Sequence, residues 1–242
     1  MGNTMFARLW NTLREMRRKR KFERRQAWSR GLSLEETFSR IYHEARWGSA
    51  PSGVRFHSGT GSLPEFSAAY ERFVIEFLDR HSEIRSIVDL GCGDFQVSDR
   101  ILRGLNRSVE YIGCDIVREL IEHNQATHTR PGVRFRHCNV IDGELPTGDL
   151  ALVRQVMQHL SNTDIQRIIA KIRKVYSVAI VTESLPTKLV AANVDKRGVD
   201  SRVALGSGVY LDEPPFDLPV ELALDTEYSK TKFLRTCVVR FT

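Results

Sequence analysis

Apolar residues follow two spacings along this chain, and each spacing predicts one type of element. Short apolar runs predict seven strands, at residues 85–90, 109–114, 133–138, 149–154, 177–183, 221–227 and 232–241. Apolar positions three and four residues apart predict helices at residues 5–27, 33–46, 65–81, 96–105, 117–125 and 162–174. Because strands and helices alternate, we expect an α/β fold with a mainly parallel sheet and helices on both faces.

The last two predicted strands differ from the others, since only a short turn separates them. They are expected to form a hairpin, which makes the final strand antiparallel. Two irregular stretches, 48–64 and 186–219, are rich in glycine, proline and serine. Loops of this length in a compact domain usually act as lids or binding loops, so we expect both to close over a site.

The end of the first predicted strand carries the pattern that points most directly to a ligand. The run I-V-D-L-G-C-G-D-F places Gly91 and Gly93 between the acids Asp89 and Asp94. Glycine lets the backbone turn sharply and lets a ligand approach it closely. The second predicted strand stops at Asp115, where an acid in a doubly wound sheet hydrogen-bonds ribose hydroxyls. This pattern predicts a nucleoside-cofactor site.

The choice of cofactor depends on what the turn lacks. A dinucleotide site has a third glycine that brings a helix N-terminus against the pyrophosphate, but Gln96 stands at that position here. The acids on either side of the turn would repel a pyrophosphate. They suit a cofactor that carries an amine and a sulfonium, which is S-adenosylmethionine.

Several segments resemble a known family. The stretch V-D-L-G-C-G-D-F resembles the first motif of class I S-adenosylmethionine-dependent methyltransferases, and Tyr111–Ile116 resembles their second. Over about residues 38–235 the chain is also similar to a bacterial subgroup of that family. The segments that carry this likeness are I-Y at 41–42, W-G at 47–48, S-G-T-G-S at 58–62, Q-H-L-S at 158–161, N-V-D at 193–195 and P-P-F-D-L-P at 214–219.

The resemblance implies a fold, an activity and a cofactor site. The fold is a Rossmann-like seven-stranded sheet closed by the terminal hairpin, the activity is methyl transfer, and the cofactor is S-adenosyl-L-methionine. Related enzymes usually have Asp where Asn139 stands, and many have Asp at Gln155; the amide oxygen of Asn139 can still accept a hydrogen bond from adenine. The cofactor-binding residues implied are Asp89, Gly91, Gly93, Asp94, Asp115, Ile116, Asn139 and Val140.

Candidate catalytic residues follow the fourth predicted strand, where ligands bind in open α/β sheets. If the methyl acceptor is a hydroxyl, a base must take its proton, and His159 is the first candidate. The alternative is that His159 caps the following helix or lies in a structural hydrogen-bond network. Arg154 and Gln155 could orient a polar acceptor, and Glu183 is either a second candidate base or a solvated strand end. No metal is expected, because this strand end lacks a carboxylate cluster.

The net charge of +6 is unevenly distributed. Residues 1–30 hold ten Lys and Arg against two Glu, a net charge of +8, so residues 31–242 carry −2. We therefore divide the chain into a basic amphipathic helical extension, 1–30, and a methyltransferase domain, 31–242. The extension also has an apolar stripe, which favours contact with an anionic membrane through residues 1–27. The alternatives are a partner or a second copy in a homodimer, nucleic acid, or a loosely packed extension.

The remaining features bound the cellular context and the reaction. The four cysteines form no C-x-x-C pair, and no apolar run is long enough for a membrane span or a signal peptide, so we expect a cytoplasmic protein with peripheral contact at the inner membrane surface. We expect O-methylation of a small-molecule or glycan hydroxyl. The alternatives are N-methylation, with nucleic acid disfavoured by the slightly acidic domain, and a cofactor-binding assembly module that works through the basic helix.

Overall fold

The computed structural model describes residues 27–48 and 55–241, together with residues 16 and 20. The helices are α1 (Leu34–His43), α2 (Pro64–Arg80), α3 (Gln96–Gly104), α4 (Arg118–His128) and α5 (Asn162–Val175). The strands are β1 (Ser86–Leu90), β2 (Glu110–Asp115), β3 (Val133–His137), β4 (Leu150–Arg154), β5 (Val178–Pro186), β6 (Val220–Ser229) and β7 (Lys232–Arg240). The predicted helix over 5–27 lies outside the described residues except at positions 16, 20 and 27.

The strands form one seven-stranded sheet in the order β3-β2-β1-β4-β5-β7-β6. The first five pair in parallel, whereas β7 pairs antiparallel with both β5 and β6. The chain leaves β1 toward β2 and β3, then returns to β4 on the other side of β1. This reversal creates a crevice at the carboxyl ends of β1 and β4, where open α/β sheets bind ligands.

Alternate residues of the central strands face two separate cores. In β4, Leu150 and Leu152 belong to one apolar cluster, whereas Ala151 and Val153 belong to the other. The first cluster includes buried residues of α2, α3 and α4, and the second includes buried residues of α1 and α5. The strands are therefore buried on both faces, as parallel strands usually are. The predicted α/β class with helices on both faces is confirmed.

Local sequence determines where two of the helices begin. Ser33 and Glu36 form a capping box at the start of α1, in which each side chain accepts a backbone N–H hydrogen bond from the other residue. The Ser161 side chain accepts a hydrogen bond from the backbone N–H of Asp164 and so caps α5. These caps place the ends of α1 and α5 beside the crevice, since Leu34 and Leu160 both line it.

Candidate functional site

A cavity of about 350 Å³ lies at the carboxyl ends of the parallel strands. Residues of α1, of the segment around the 3-10 turn Thr60–Ser62, and of 199–201 also line it. Parts of both irregular stretches therefore border the cavity, and their closure over a bound ligand stays a prediction. All eleven residues assigned to the site from sequence line this cavity: Asp89, Gly91, Gly93, Asp94, Asp115, Ile116, Asn139, Val140, Arg154, Gln155 and His159.

The glycine turn after β1 has a backbone that only glycine adopts easily. Gly91 has a φ of 92° and Gly93 a φ of 55°. The backbone N–H groups of Gly91 and Cys92 both donate to the carbonyl oxygen of Cys114 at the end of β2, at 2.8 and 2.9 Å. A Cβ at Gly91 would lie 2.3 Å from Cγ2 of Val156, so the turn can accept no side chain here. Glycine is therefore required at position 91 for two reasons, the positive φ of the turn and the close approach of the Val156 side chain.

Two of the cavity acids are held in place by neighbouring donors. Asp89 Oδ2 accepts hydrogen bonds from Ser98 Oγ at 2.6 Å and from the Tyr111 hydroxyl at 2.8 Å. Asp115 accepts from the backbone N–H of Gly93 at 3.1 Å and from that of Val117 at 3.0 Å. Burial raises the pKa of Asp89, and it raises the pKa of Asp115 to about 6.

The third acid, Asp94, holds a covering segment against the glycine turn. Its Oδ2 accepts a hydrogen bond from the backbone N–H of Ser58 at 2.9 Å, and Ser58 Oγ accepts one from the backbone N–H of Asp94 at 2.8 Å. The Tyr42 hydroxyl of α1 lies 3.0 Å from the same Ser58 Oγ. Sequence reasoning did not assign Tyr42 or Ser58 to the site, although both belong to segments used for the resemblance, I-Y at 41–42 and S-G-T-G-S at 58–62.

Asn139 shapes the loop that follows β3. Its Oδ1 accepts a hydrogen bond from the backbone N–H of Ile141 at 3.0 Å, a turn that a short amide side chain favours. A carbonyl oxygen has two lone pairs, so Oδ1 can still accept a second hydrogen bond. Val140 and Ile116 provide apolar walls on the same side of the cavity. A polar acceptor between apolar walls suits a planar heterocycle with an amino group.

His159 lies in the 3-10 turn Met157–His159 and is 7% exposed. Its Nδ1 is 3.2 Å from the carbonyl oxygen of Gly198, which can only accept, so Nδ1 carries the hydrogen and Nε2 keeps a lone pair. The ring centres of Phe38 and Trp47 lie 5.6 and 5.9 Å from the centre of the imidazole ring. Burial, together with the nearby charge of Lys196, lowers the pKa of His159 to about 3, so the imidazole is neutral at physiological pH.

The alternative that His159 caps the following helix is wrong, because Ser161 caps α5. The structural hydrogen-bond network is present: Gln158 Nε2 lies 3.3 Å from His159 Nε2, and the backbone N–H of Gly198 donates to the carbonyl oxygen of His159. These contacts fix the ring against the 193–207 segment. A role for His159 as a base stays a prediction.

Arg154 and Gln155 form the wall of the cavity at the end of β4. Arg154 Nη2 donates to the carbonyl oxygen of Gly61 at 2.7 Å, and its guanidinium lies 5.1 Å from the centre of the Tyr70 ring. Gln155 has a φ of 57°, and its Nε2 donates to Ser184 Oγ at 3.0 Å. Both side chains therefore have fixed positions in this wall of the cavity.

Glu183 is neither a base in the cavity nor a solvated strand end. It is 3% exposed, and its two carboxylate oxygens accept hydrogen bonds from the backbone N–H groups of Met157 at 2.8 Å and Gln158 at 3.0 Å. Burial raises its pKa to about 8. Both sequence interpretations of Glu183 are corrected, because its side chain points under the 3-10 turn and anchors it.

The described part of the chain lacks two other kinds of site. Within residues 27–48 and 55–241, no three His, Cys, Asp or Glu side chains cluster so as to hold a metal ion. None of the helices that the structure describes is both long and apolar enough to cross a membrane. The four cysteines are free, and Cys114, Cys138 and Cys237 are buried.

Comparison with known proteins identifies the domain. Residues 87–177, less than half of the chain, match the family model of a methyltransferase domain. No curated protein matches the sequence. The matched segment runs from β1 to the end of α5 and contains the glycine turn, all three acids of the cofactor side and His159.

Solved structures with the same fold are distant in sequence. Human N-acetylserotonin methyltransferase, in complex with SAM, is 15% identical with a TM-score of 0.56, and the match covers 87% of this chain and 60% of that one. The N-terminal domain of EvdMO1 with SAH bound is 16% identical with a TM-score of 0.53, covering 85% and 96%. Magnesium protoporphyrin IX methyltransferase from Synechocystis with bound SAH is 11% identical with a TM-score of 0.51, covering 90% and 99%. The chain thus spans about 60% of the length of the first of these proteins.

At these identities the solved structures establish the fold, and the family model adds the methyltransferase domain. Residues 87–177 therefore belong to a methyltransferase domain, and the chain has the fold of S-adenosylmethionine-dependent methyltransferases, as the glycine turn and its acids predicted. The residues present fit S-adenosylmethionine, because carboxylates accept hydrogen bonds from an amine and from ribose hydroxyls, and the glycine turn leaves room for close approach.

Proposed function

We propose that the protein transfers a methyl group to a hydroxyl of a small molecule or glycan. S-adenosylmethionine supplies the methyl group on a sulfonium, and the chain must hold the acceptor in line with it while excluding water. Asp115 is assigned to the ribose hydroxyls, the turn at Gly91 and Gly93 to the methionine end, and Asn139 to the adenine amine.

The observation that carries the proposal is the neutral imidazole of His159 in the cavity wall. Its Nδ1–H donates to the carbonyl oxygen of Gly198. The lone pair of Nε2, on the opposite edge of the ring, is therefore the acceptor of the imidazole. A hydroxyl placed there would replace the amide of Gln158 as the donor to Nε2. The imidazole would then orient the hydroxyl oxygen and draw its hydrogen away as the new bond to the methyl forms.

Glu183 and Gly198 have positioning roles in this proposal. Glu183 holds the backbone N–H groups of residues 157 and 158 through its two carboxylate oxygens, and the carbonyl oxygen of Gly198 holds Nδ1 of His159. The segment that contains Gly198 is itself held by Arg202, which is fully buried and donates to the carbonyl oxygen of Leu160 at 2.7 Å. These contacts keep Nε2 in place, which proton acceptors in catalysis require.

A second part of the proposal concerns where the enzyme works. We infer that residues 1–27 bind an anionic membrane surface as a basic amphipathic helix, which would concentrate a lipid-linked or surface-glycan acceptor. The charge of +8 over residues 1–30 supports this, at about 1 kcal/mol per basic residue near such a surface. Immediately after this segment, the ring centre of Trp28 lies 4.5 Å from the guanidinium of Arg40 and 3.8 Å from that of Arg46.

The experiment that tests the reaction is an acceptor screen with radiolabelled S-adenosylmethionine. Hydroxylated sugars, sugar phosphates and glycolipids are compared with amines of matched size, and products are identified by mass spectrometry and by the stability of the new bond. Labelled methyl ethers support the proposal. Labelled amines alone would replace it with N-methylation, and cofactor binding without turnover on any acceptor would favour an assembly module.

A further inference from the structure

The charges that line the cavity are separated into two ends. Asp89, Asp94 and Asp115 lie at the ends of β1 and β2, whereas the basic side chains of Arg154 and Lys232 lie at β4 and β7. The remaining acid of the cavity wall is Asp200, which interacts with Lys196. Burial lowers the pKa of Lys196, and the charge of Asp200 acts in the opposite direction. The acidic end suits the amine and sulfonium of the cofactor, which leaves the cationic end to be explained.

Lys232 has no anionic partner within the part of the chain that the structure describes. Its ammonium lies 3.8 Å from the centre of the Tyr228 ring, and burial lowers its pKa. On the same hairpin, Asp225 forms an ion pair with Arg235 at 2.8 Å, and Glu227, which lies opposite Phe233, forms no ion pair with Lys232. Backbone pairing with Pro186 of β5 and Ser229 of β6 fixes the position of Lys232.

Tyr228 joins this end of the hairpin to the segment that covers the cavity. Its hydroxyl is hydrogen-bonded to that of Thr60, and its ring stacks on Phe66 at 4.5 Å. Thr60, Tyr228 and Lys232 all line the cavity. The lysine is therefore supported by an aromatic ring that is itself held on two sides, which is a fixed binding feature and not a mobile surface charge.

Within the described residues Arg154 also forms no direct ion pair, although the charges of Asp89 and Glu71 stabilise its cationic form and raise its pKa against the effect of burial. Its guanidinium donates to the carbonyl oxygen of Gly61 and to Gln155 Oε1, and its Nε is buried without a hydrogen-bond partner. Burial lowers its pKa. An anion that contacts either of these partly desolvated cations is therefore favoured.

The sheet order separates the two possible sources of that anion. Arg154 is on the strand next to β1, close enough to meet the carboxylate of the cofactor itself. Lys232 is three strand positions from β1, in the order β1-β4-β5-β7. At about 4.8 Å per strand this is roughly 14 Å, beyond the methionine end of a cofactor bound at the glycine turn.

We propose that Lys232, supported by Tyr228, binds an anionic group of the methyl acceptor, so that the substrate is a hydroxylated compound that also carries a carboxylate or a phosphate. This inference rests on the proposed function, because it assigns the acceptor side of the same cavity. Arg154 lies between the cofactor and the acceptor and contributes to the attraction of either anion.

The test measures binding of three probes to the full-length protein saturated with S-adenosylhomocysteine. The probes are glucose 6-phosphate, glucuronate and uncharged glucose, titrated by calorimetry at one ionic strength. At least one of the two anions should bind at least about tenfold more tightly than glucose, since a charge-assisted hydrogen bond is worth about that much. Whichever anion is preferred identifies the group as phosphate or carboxylate.

Matched lysine variants locate the effect. Lys230 is exposed in the turn of the same hairpin, so K230Q makes the same change in net charge as K232Q two residues away. K232Q should remove the preference for the anion, K232R should keep most of it, and K230Q should change it less than twofold. Unchanged affinity for S-adenosylhomocysteine in K232Q shows that the variant is folded.

Two results would overturn the inference: anions that bind no better than glucose, or equal losses in K230Q and K232Q, which would mean general electrostatic attraction. The titrations are repeated without S-adenosylhomocysteine. Failure of that ligand to bind would contradict the proposed function, whereas the comparison of anions with glucose would still decide the role of Lys232.

Discussion

Ser58 and Asp94 exchange two hydrogen bonds across the mouth of the cavity, Ser58 N–H to Asp94 Oδ2 at 2.9 Å and Asp94 N–H to Ser58 Oγ at 2.8 Å. The pair joins the covering segment to the glycine turn. The S58A variant removes one of these bonds and leaves the N–H of Asp94 without its partner. We expect a loss of about 1–3 kcal/mol in the free energy of unfolding, measured by urea titration.

The same variant should weaken binding of S-adenosylhomocysteine by about tenfold, because the turn that holds the cofactor loses its cover. S108A is the control, since Ser108 is exposed in the loop before β2 and does not line the cavity. Equal stability of S58A and the wild type would mean that the contact is not formed in solution.

Cofactor affinity should depend on pH through Asp115. Burial raises the pKa of this carboxyl to about 6, and only the ionised form can accept hydrogen bonds at both oxygens from ribose hydroxyls. Affinity should therefore be highest above pH 6 and fall as the pH drops through it, by at most about tenfold per pH unit for a single proton.

Calorimetric titration of S-adenosylhomocysteine between pH 5 and pH 8 measures this dependence. The D115N variant carries no titrating group at this position, so its affinity should be lower at pH 8 and nearly flat with pH. If the wild type is also flat over this range, Asp115 is not the group that holds the ribose.

Replacement of His159 should separate chemistry from cofactor binding. H159A is expected to lower turnover by about 10²–10⁴ and to leave affinity for S-adenosylhomocysteine nearly unchanged. Because the pKa of His159 is lowered to about 3, the imidazole should contribute no acid limb to the rate between pH 5 and pH 8. An equal loss of cofactor affinity, or an unchanged rate on the identified acceptor, would assign His159 a purely structural role.

The elements of the fold could be predicted closely, whereas contacts within the site could be predicted only in part. β4 was expected at 149–154 and spans Leu150–Arg154, because a strand buried on both faces is an unbroken apolar run. Asp115 could be placed because the acid at the end of β2 follows from strand order. The N-terminal helix and the boundary at residue 30 stay predictions.

Contacts made to backbone atoms could not be predicted. The partners of Glu183 are the backbone N–H groups of residues 157 and 158, and a backbone donor has no signature in the sequence. Ser58 was marked by its motif, but its partner is 36 residues away, which no local pattern specifies. In the sequence, Lys232 cannot be distinguished from a solvated lysine at the start of a strand. Its place in the cavity wall depends on the sheet order, which puts it beside β5.

Membrane attachment predicts a clear effect of truncation. Removal of residues 1–27 should abolish co-sedimentation with vesicles of anionic lipid at low salt and spare cofactor affinity. A double variant, L9S and W10S, keeps all the charge of the extension and should also weaken binding, because the apolar stripe inserts into the surface. Failure of the full-length protein to co-sediment would contradict membrane attachment and assign the helix to contact between subunits, which light scattering of the truncated chain would reveal.

The central claim is that the turn at Gly91 and Gly93 holds S-adenosylmethionine, and calorimetric titration of the purified chain with that cofactor and with NAD tests it most directly. Gly132 has a φ of 78° but does not line the cavity, so G132A matches the backbone strain of G91A without touching the site. The account predicts micromolar binding of S-adenosylmethionine to the wild type and to G132A, a loss of at least about tenfold in G91A, and no binding of NAD. Binding of NAD without binding of S-adenosylmethionine would contradict it.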